Sequence, residues 1–504
     1  MVSIAASVAW WARTEPQRLA LVYADQRLSY RELHQRVECM AASLSARGVG
    51  AGDVVALLMK NSAAFLELSL AISRVNAVFL PINYRLGAEE VDYIAQHAGV
   101  RLLFADEGLS ASVPASVPVV WVDAAAQADS GALGTAGTVG TVAKSSVRET
   151  QSEDLYRLMY TSGTTDRPKG VMHTYSNMAW KCMDHITALQ ITKDDRLLVV
   201  GPLYHVGAYD LPGLGLWVAG GALVIERDFV AERALALIER ERITGAWMAP
   251  VMLGRCLTSA ERSMHDLSSL RWLIGGGERT PEERIRQFSA VFAQARYIDA
   301  YGLTESCSGD TLMRAGCEID KIGSTGVATP HVEISIRDET GAALPAGCDG
   351  EICLRGPKVT RGYWRDPERT AACFHGDWFR TGDIGHLDAD GFLFLTDRLK
   401  DMIISGGENI ASSEVERVLY AFDGVSEAAV IGLPDTRWGE RVVAVVVPAP
   451  GRTLDADELV RFCRTRLAGF KVPRQVVIGE ALPRNPSGKV LKRVLRDQVL
   501  PDTE

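Results

Sequence analysis

The chain has no apolar run of the roughly 18 to 20 residues that a membrane-spanning helix needs, which argues against a spanning protein. It also has no CxxC pair. Nine cysteines are scattered from Cys39 to Cys463, an odd number, and this fits reduced thiols better than a secreted disulfide scaffold or a structural zinc site. There is no excess of basic charge: 54 Lys and Arg face 63 Asp and Glu, a net charge of −9, which excludes nucleic-acid binding as the dominant role. A local basic groove for a phosphorylated ligand remains compatible with that balance. The first residues lack a basic segment followed by an apolar core, so they are expected to form an amphipathic helix rather than a signal peptide. The final "PDTE" matches neither a peroxisomal nor a prenylation signal. A cytoplasmic protein without a nucleic-acid partner is expected; a homodimer is left open.

What the chain does have is length and order. At 504 residues it exceeds one hydrophobic core, and about two to four folding units are expected. Over residues 1–120 helix-like and strand-like patterns alternate. "LALVYADQRLSY" reads as two short strands, and Ser29 with Glu32 has the spacing of a capping box. "DVVALLM" reads as a buried strand, and the alternation predicts α/β layers around a mainly parallel sheet. Residues 124–149 are rich in Ala, Gly, Ser and Thr and read as a surface linker. The alternation then resumes through "RLLVVGPLYHVG", "ALVIER", "GAWMAP", "RWLIGGG" and "ARYIDAYGLTES", apolar strands that end in glycine or polar loops where α/β proteins place ligands. From about residue 323 period-two strands with Gly, Pro and Asp turns predict a small antiparallel barrel or sheet. The last hundred residues read as a separate small α+β domain. The predicted division is 1–399 and 400–504, with the boundary at Leu399–Lys400.

"YTSGTTDRPKGV", Tyr160 to Val171, packs small hydroxyls and glycines ahead of a lysine. Phosphate oxygens need several donors at close range, and a glycine-rich turn with small hydroxyls supplies them without crowding. Thr161, Ser162, Gly163, Thr164 and Thr165 meet that need, and Lys169 adds a mobile positive charge. The Walker A spacing is not met, because the lysine precedes Gly170.

This segment resembles the phosphate-loop signature of the adenylate-forming superfamily: acyl-CoA synthetases, nonribosomal peptide adenylation domains and luciferases. Further signatures follow in the same order: "PLYHVG" at 202–207, "GGGE" at 275–278, "YGLTES" at 301–306, "RTGDIG" at 380–385, "DRLKDMIISGGENI" at 397–410 and "NPSGKVLKR" at 485–493. The resemblance covers nearly the whole chain. It implies a large adenylating domain, a small mobile C-terminal domain, and a reaction in two halves. A carboxylate attacks the α-phosphorus of ATP to give acyl-AMP and pyrophosphate; a thiol, usually of coenzyme A, then displaces AMP.

On that resemblance Lys489 bridges the carboxylate and the α-phosphate, Thr164 acts within the phosphate loop, and Glu305 holds Mg²⁺. Thr304 donates to the α-phosphate. Tyr301, between Ala300 and Gly302, stacks on adenine. Asp383 accepts the ribose hydroxyls, and Arg398 makes a second ribose or phosphate contact. Gly275, Gly276, Gly277 and Glu278 wall the adenine and acyl pockets. Tyr204, His205 and Gly207 lie along the acyl pocket, with Cys307 and Ser308 in the acyl channel, and His205 sits beside the acyl carboxylate. Lys400 is the hinge about which the small domain turns. Ser405, Gly406 and Gly407 then line the pantetheine path, and Lys471 and Arg474 meet the nucleotide end of coenzyme A.

Relatives that activate α-amino acids carry an Asp where this chain has Val206, so an ammonium-bearing acid is not expected. No insertion stands near the hinge, which favours coenzyme A as the acceptor. The expected acid is apolar: a medium- or long-chain fatty, aromatic or polycyclic acid. Two alternatives stand beside a CoA ligase: a stand-alone adenylating enzyme that loads a carrier protein, and a silent nucleotide sensor. Retention of Lys489, Glu305, Asp383 and the full loop argues against the sensor.

Overall fold

The computed structural model describes residues 3–122, 150–161, 167–277, 280–398, 401–405, 408–484 and 490–499. The 124–149 linker and the Leu399–Lys400 boundary therefore lie outside the described residues.

Two large sheets form the first part of the chain. A six-stranded sheet runs in the order Val119–Val122, Val100–Asp106, Val54–Leu58, Val78–Pro81, Leu155–Thr161 and Lys169–Thr174. Its strands are parallel except for the last, which pairs antiparallel with Leu155–Thr161 and puts Thr161 directly opposite Lys169. The strand Val54–Leu58 is buried along its whole length, as an apolar run covered on both faces should be.

The second sheet has nine strands. Its middle is parallel: Leu19–Tyr23, Ala222–Ile225, Arg196–Val199, Gly245–Met248, Trp272–Gly275 and Arg296–Tyr301. Parallel neighbours end at the same edge of a sheet. The loops after Val199, Met248, Gly275 and Tyr301 therefore meet in one place. These four strands carry the "PLYHVG", "GAWMAP", "GGG" and "YGLTES" sequences.

The expected capping box is present. Ser29 N donates to Glu32 Oε2 at 2.8 Å, Glu32 N donates to Ser29 Oγ at 3.3 Å, and the helix Tyr30–Ala46 starts there. The period-two segment forms a five-stranded antiparallel sheet built from Glu333–Arg337, Gly350–Arg355, Phe374–His375, Trp378–Leu387 and Leu393–Arg398. Beyond it, Val425–Asp435 and Gly439–Pro448 form a long antiparallel pair, packed with the helices Ser412–Tyr420 and Ala456–Arg464 around their own core.

Buried charge links the six-stranded sheet to the loop region of the other. Arg157 is fully enclosed, and its guanidinium pairs with both oxygens of Asp210, Nη1 to Oδ1 at 3.0 Å and Nη2 to Oδ2. Arg157 Nε donates to His173 Nδ1 at 2.9 Å, and the opposite ring nitrogen lies 2.7 Å from the Thr304 carbonyl. A carbonyl only accepts and an arginine only donates, so this imidazole is neutral, with its proton on Nε2. Burial, then the Arg157 charge, hold His173 well below its ordinary range, and burial together with Lys181 and Lys358 does the same to His185.

Both histidines are neutral when folded and titrate near about 6.5 when unfolded. Below that pH the unfolded chain binds protons the folded chain refuses. Each group should therefore remove about 1.4 kcal/mol of stability per pH unit as the pH falls through and below about 6.5. Urea unfolding measured across this range should show the loss, and His173→Gln should flatten the slope; an unchanged slope would refute the assignment.

Candidate active site

The hairpin that places Thr161 opposite Lys169 closes the hydroxyl-rich loop. Ser162, Gly163, Thr164 and Thr165 lie outside the described residues. Thr161 Oγ1 is buried with no hydrogen-bond partner among the described residues. Lys169 extends toward the end of Arg296–Tyr301. Its ammonium lies 2.9 Å from Glu305 Oε1 and donates to Tyr363 Oη at 2.6 Å, while Tyr363 Oη donates to the same Glu305 oxygen at 2.9 Å. Glu305 is only 7% exposed. Burial, then the adjoining Glu305 charge, push the Tyr363 phenol far above its usual range, which keeps it protonated as a donor.

Glu305 sits in the single turn Thr304–Ser306. Thr360 N donates to its carbonyl at 2.6 Å, and His173 donates to the carbonyl of Thr304. Tyr301, at the strand end, donates to Asp383 Oδ2 at 2.8 Å. Asp383 lies opposite Arg398 in the antiparallel pairing of the small sheet, which sets both beside the strand end. Ala300 is buried, and its carbonyl would stand 3.3 Å from a Cβ added at Gly276.

On the neighbouring loop, His205 caps the one-turn helix Val206–Tyr209, its Nδ1 accepting from Gly207 N at 3.2 Å. Tyr204 is buried edge-on to Tyr84, with ring centres 5.3 Å apart. The space beside one predicted wall glycine, Gly275, and beside Gly302 of the adenine segment is filled by protein. A Cβ at Gly275 would coincide with Tyr297 Oη, which is hydrogen-bonded to Thr280 at 2.6 Å, and one at Gly302 would overlap the backbone of Ser308 and Gly309. Cys307 is wholly buried, its thiol pushed up to about 12 by burial, so it is enclosed by protein. Glu278 lies outside the described residues.

In the last part of the chain, Ser405 is buried at the end of Ile403–Ser405, paired with Glu408 and Gly439. Lys471 makes two bonds to Glu414, at 2.9 and 2.7 Å. Arg474 lies 4.9 Å from the centre of the Trp438 ring, and Arg437 lies 4.8 Å from it. Lys400, Gly406, Gly407 and Lys489 lie outside the described residues.

Sequence reasoning passed over several residues that build this region: Tyr363, Trp438 and above all Lys358. After Glu305 the chain takes three consecutive left-handed residues, Cys307 at φ 58°, Ser308 at 67° and Gly309 at 65°. Two of them carry a side chain, and each costs about 1–2 kcal/mol in that conformation. Lys358 holds the turn. Its fully buried ammonium donates to the carbonyls of Ser308 and Gly309 at 3.0 and 2.6 Å, and pairs with Asp310 Oδ1 at 3.1 Å. Ser306 Oγ donates to the other Asp310 oxygen.

A hairpin lysine, a buried carboxylate beside it and an aromatic–aspartate pair at one strand end fit a nucleotide-handling class of site. Comparison with known proteins assigns the family. The "AMP-binding enzyme" family model matches residues 8–364, and the "AMP-binding enzyme C-terminal domain" model matches 414–489, so the chain belongs to the AMP-binding enzyme family. It is 38% identical over 492 residues to a feruloyl-CoA synthase of Amycolatopsis sp, covering 96% of each chain. It is 36% identical over 482 residues to the long-chain-fatty-acid–CoA ligase FadD13 of Mycobacterium tuberculosis, covering 94% of this chain and 93% of that one. Among solved structures it is similar to o-succinylbenzoate CoA synthetase (MenE) from Bacillus subtilis in complex with ATP and magnesium ion, with a TM-score of 0.85, 30% identity and 98% of each chain covered.

Lys358→Met would leave Asp310 buried without its counter-charge, and should cost about 3–5 kcal/mol in urea unfolding. Adding Asp310→Leu, which removes the orphaned charge, should recover much of that loss. A single-variant loss below about 1 kcal/mol would show that the pair does not secure the turn.

Proposed function

We infer that this protein is an ATP-dependent carboxylic acid–CoA ligase acting on an apolar acid. One observation carries the reading. Lys169, from the strand after the hydroxyl-rich stretch, meets Glu305 and Tyr363 within hydrogen-bonding distance, and Tyr301, four residues before Glu305, donates to Asp383. A cation, a buried carboxylate and an aromatic–aspartate pair thus stand around one strand end. The family membership and the CoA-ligase relatives support the same reading.

A carboxylate is a poor electrophile because its charge repels nucleophiles. Joining it to AMP removes that charge and installs a leaving group. The first half-reaction brings two anions together, and fixed cations and donors lower the cost. Lys169 supplies one charge from the hairpin. Lys489 supplies the other, bridging acid and α-phosphate, while the hydroxyls of Thr161 to Thr165 and Thr304 orient the phosphates. Asp383 holds the ribose once Tyr301 turns from it to the adenine, and Arg398 seconds it. Glu305 is the residue that fits Mg²⁺: a buried, hard carboxylate oxygen donor whose described partners both sit on Oε1. Magnesium bound with ATP supplies charge neutralisation at the phosphate oxygens.

In the second half-reaction the small domain turns at Lys400. Ser405, Gly406 and Gly407 then line the pantetheine path, and Lys471, Arg474 and the adjoining Trp438 take the nucleotide end of coenzyme A. His205 borders the acyl carboxylate. All nine cysteines are free thiols, which supports the cytoplasm as the working compartment.

ATP–pyrophosphate exchange with a panel of acids, with and without coenzyme A, tests the function. A CoA thioester is expected. Exchange without thioester would instead favour carrier-protein loading, and no exchange with any acid would defeat the ligase reading. Lys489→Ala should lower exchange by at least about 10²-fold, yet still convert supplied acyl-AMP to thioester. Near-normal exchange in that variant would refute the two-orientation scheme.

A further inference from the structure

We propose that Trp247 caps the acyl pocket and restricts this enzyme to compact carboxylic acids, short aliphatic or single-ring, to the exclusion of long-chain fatty acids; the proposal rests on the ligase reading above. On the ligase reading the acid's carboxylate lies near the Thr304–Glu305 turn, and its chain runs between two backbone walls at the sheet edge, Tyr204–Gly207 and Gly275–Gly277. One wall ends in a glycine and the other is all glycine, a composition that would ordinarily leave a slot.

Trp247 occupies that slot. A Cβ at Gly207 would overlap the six-membered ring of its indole, and one at Gly201 would stand 2.5 Å from it. Across the gap, the Cβ positions of Gly276 and Gly277 lie 3.7 Å from Nε1 and 4.0 Å from Cζ2 of the same side chain. The indole therefore reaches from one wall to the other. It stands on the strand Gly245–Met248 between the register partners Val199 and Ile274, both buried in the same core, and is itself only 7% exposed. Its glycine contacts are why it fits: a methyl group at Gly207 or Gly201 would expel it.

The other glycines offer no way round. Gly275 is filled by Tyr297 Oη, and Gly302 by the Ser308–Gly309 backbone, which Lys358 pins from behind. A chain growing away from the carboxylate thus meets an indole, a phenol or a fixed turn. One methylene too many in an apolar pocket costs about 10- to 200-fold in kcat/KM, so a chain many methylenes too long is shut out rather than merely disfavoured.

The test is a profile of kcat/KM for CoA-thioester formation with hexanoate, benzoate, dodecanoate and hexadecanoate. The wild-type enzyme should prefer hexanoate or benzoate to dodecanoate by at least about 10-fold. Trp247→Ala should raise the dodecanoate-to-hexanoate ratio by at least about 10-fold, chiefly through a lower KM for dodecanoate. Trp247→Phe, which keeps most of the packing, should move the ratio the same way by less. Hexadecanoate used as well as hexanoate by the wild type would overturn the proposal, and so would variant profiles that superimpose on the wild type. If Trp247→Ala does not fold, the wild-type profile and Trp247→Phe still decide. Exchange with none of the acids would bring down the ligase reading, and this inference with it. That result is distinct from robust activity on the long chains.

Discussion

A carboxylate almost cut off from water is costly to keep charged unless its surroundings meet it with donors. Glu305 is that carboxylate, and much of the neighbouring structure can be read as the means of holding it. Lys169 and Tyr363 approach one of its oxygens. Its carbonyl is fixed by Thr360, and the carbonyl one residue earlier by His173. His173 is oriented in turn by Arg157, and Arg157 by Asp210. The chain of contacts runs from the six-stranded sheet to the loop at the end of the other sheet, so the position of one acid is set by both. Lys169 is the exposed end of that arrangement.

Parallel strands explain why so few elements suffice. Four neighbouring strands end at one edge, and their ends and the loops after them supply His205, Trp247, the glycine turn and the Tyr301–Glu305 segment without any long excursion of the chain. The antiparallel hairpin brings Lys169 to the same region from the other sheet. Close approach of these loops demands small residues, which is the physical reason for the glycines at 201, 207, 275 and 302. In each case the neighbour that needs the space belongs to the protein itself.

That distinction marks how far the sequence could be read. The capping box at Ser29, the buried strand Val54–Leu58 and the alternation around "GAWMAP" and "RWLIGGG" depend on residues close together in the chain, and each was legible there. The meeting of Lys169 with Glu305 was foreshadowed only as far as both fall in motifs that resemble those of one family. Lys358 and Asp310 were not, since they meet across nearly fifty positions and only burial makes the pair matter. Trp247 escaped notice for a related reason. A glycine announces that something comes close, but not whether it is a ligand, a tyrosine hydroxyl or an indole. The antiparallel strand after the phosphate loop was hidden too, because an apolar run does not disclose its direction.

The small domain raises a last mechanical point. Two ion pairs hold the described C-terminal residues to that domain: Arg484 pairs with Glu427 at 2.9 Å, and Lys492 with Glu416 at 2.7 Å. At the proposed pivot, Ser412 donates to Asp397 through both its backbone N and its hydroxyl, at 2.5 and 2.8 Å, which joins the first helix of the small domain to the last strand before Lys400. Such a tie lies close to the axis of any rotation there, where displacement is smallest. A short polar contact can persist or re-form through the turn, whereas an apolar interface farther out would have to be broken. On the proposed two-orientation scheme, such a tie would let one hinge present two different faces to the same sheet edge without letting the domains drift apart.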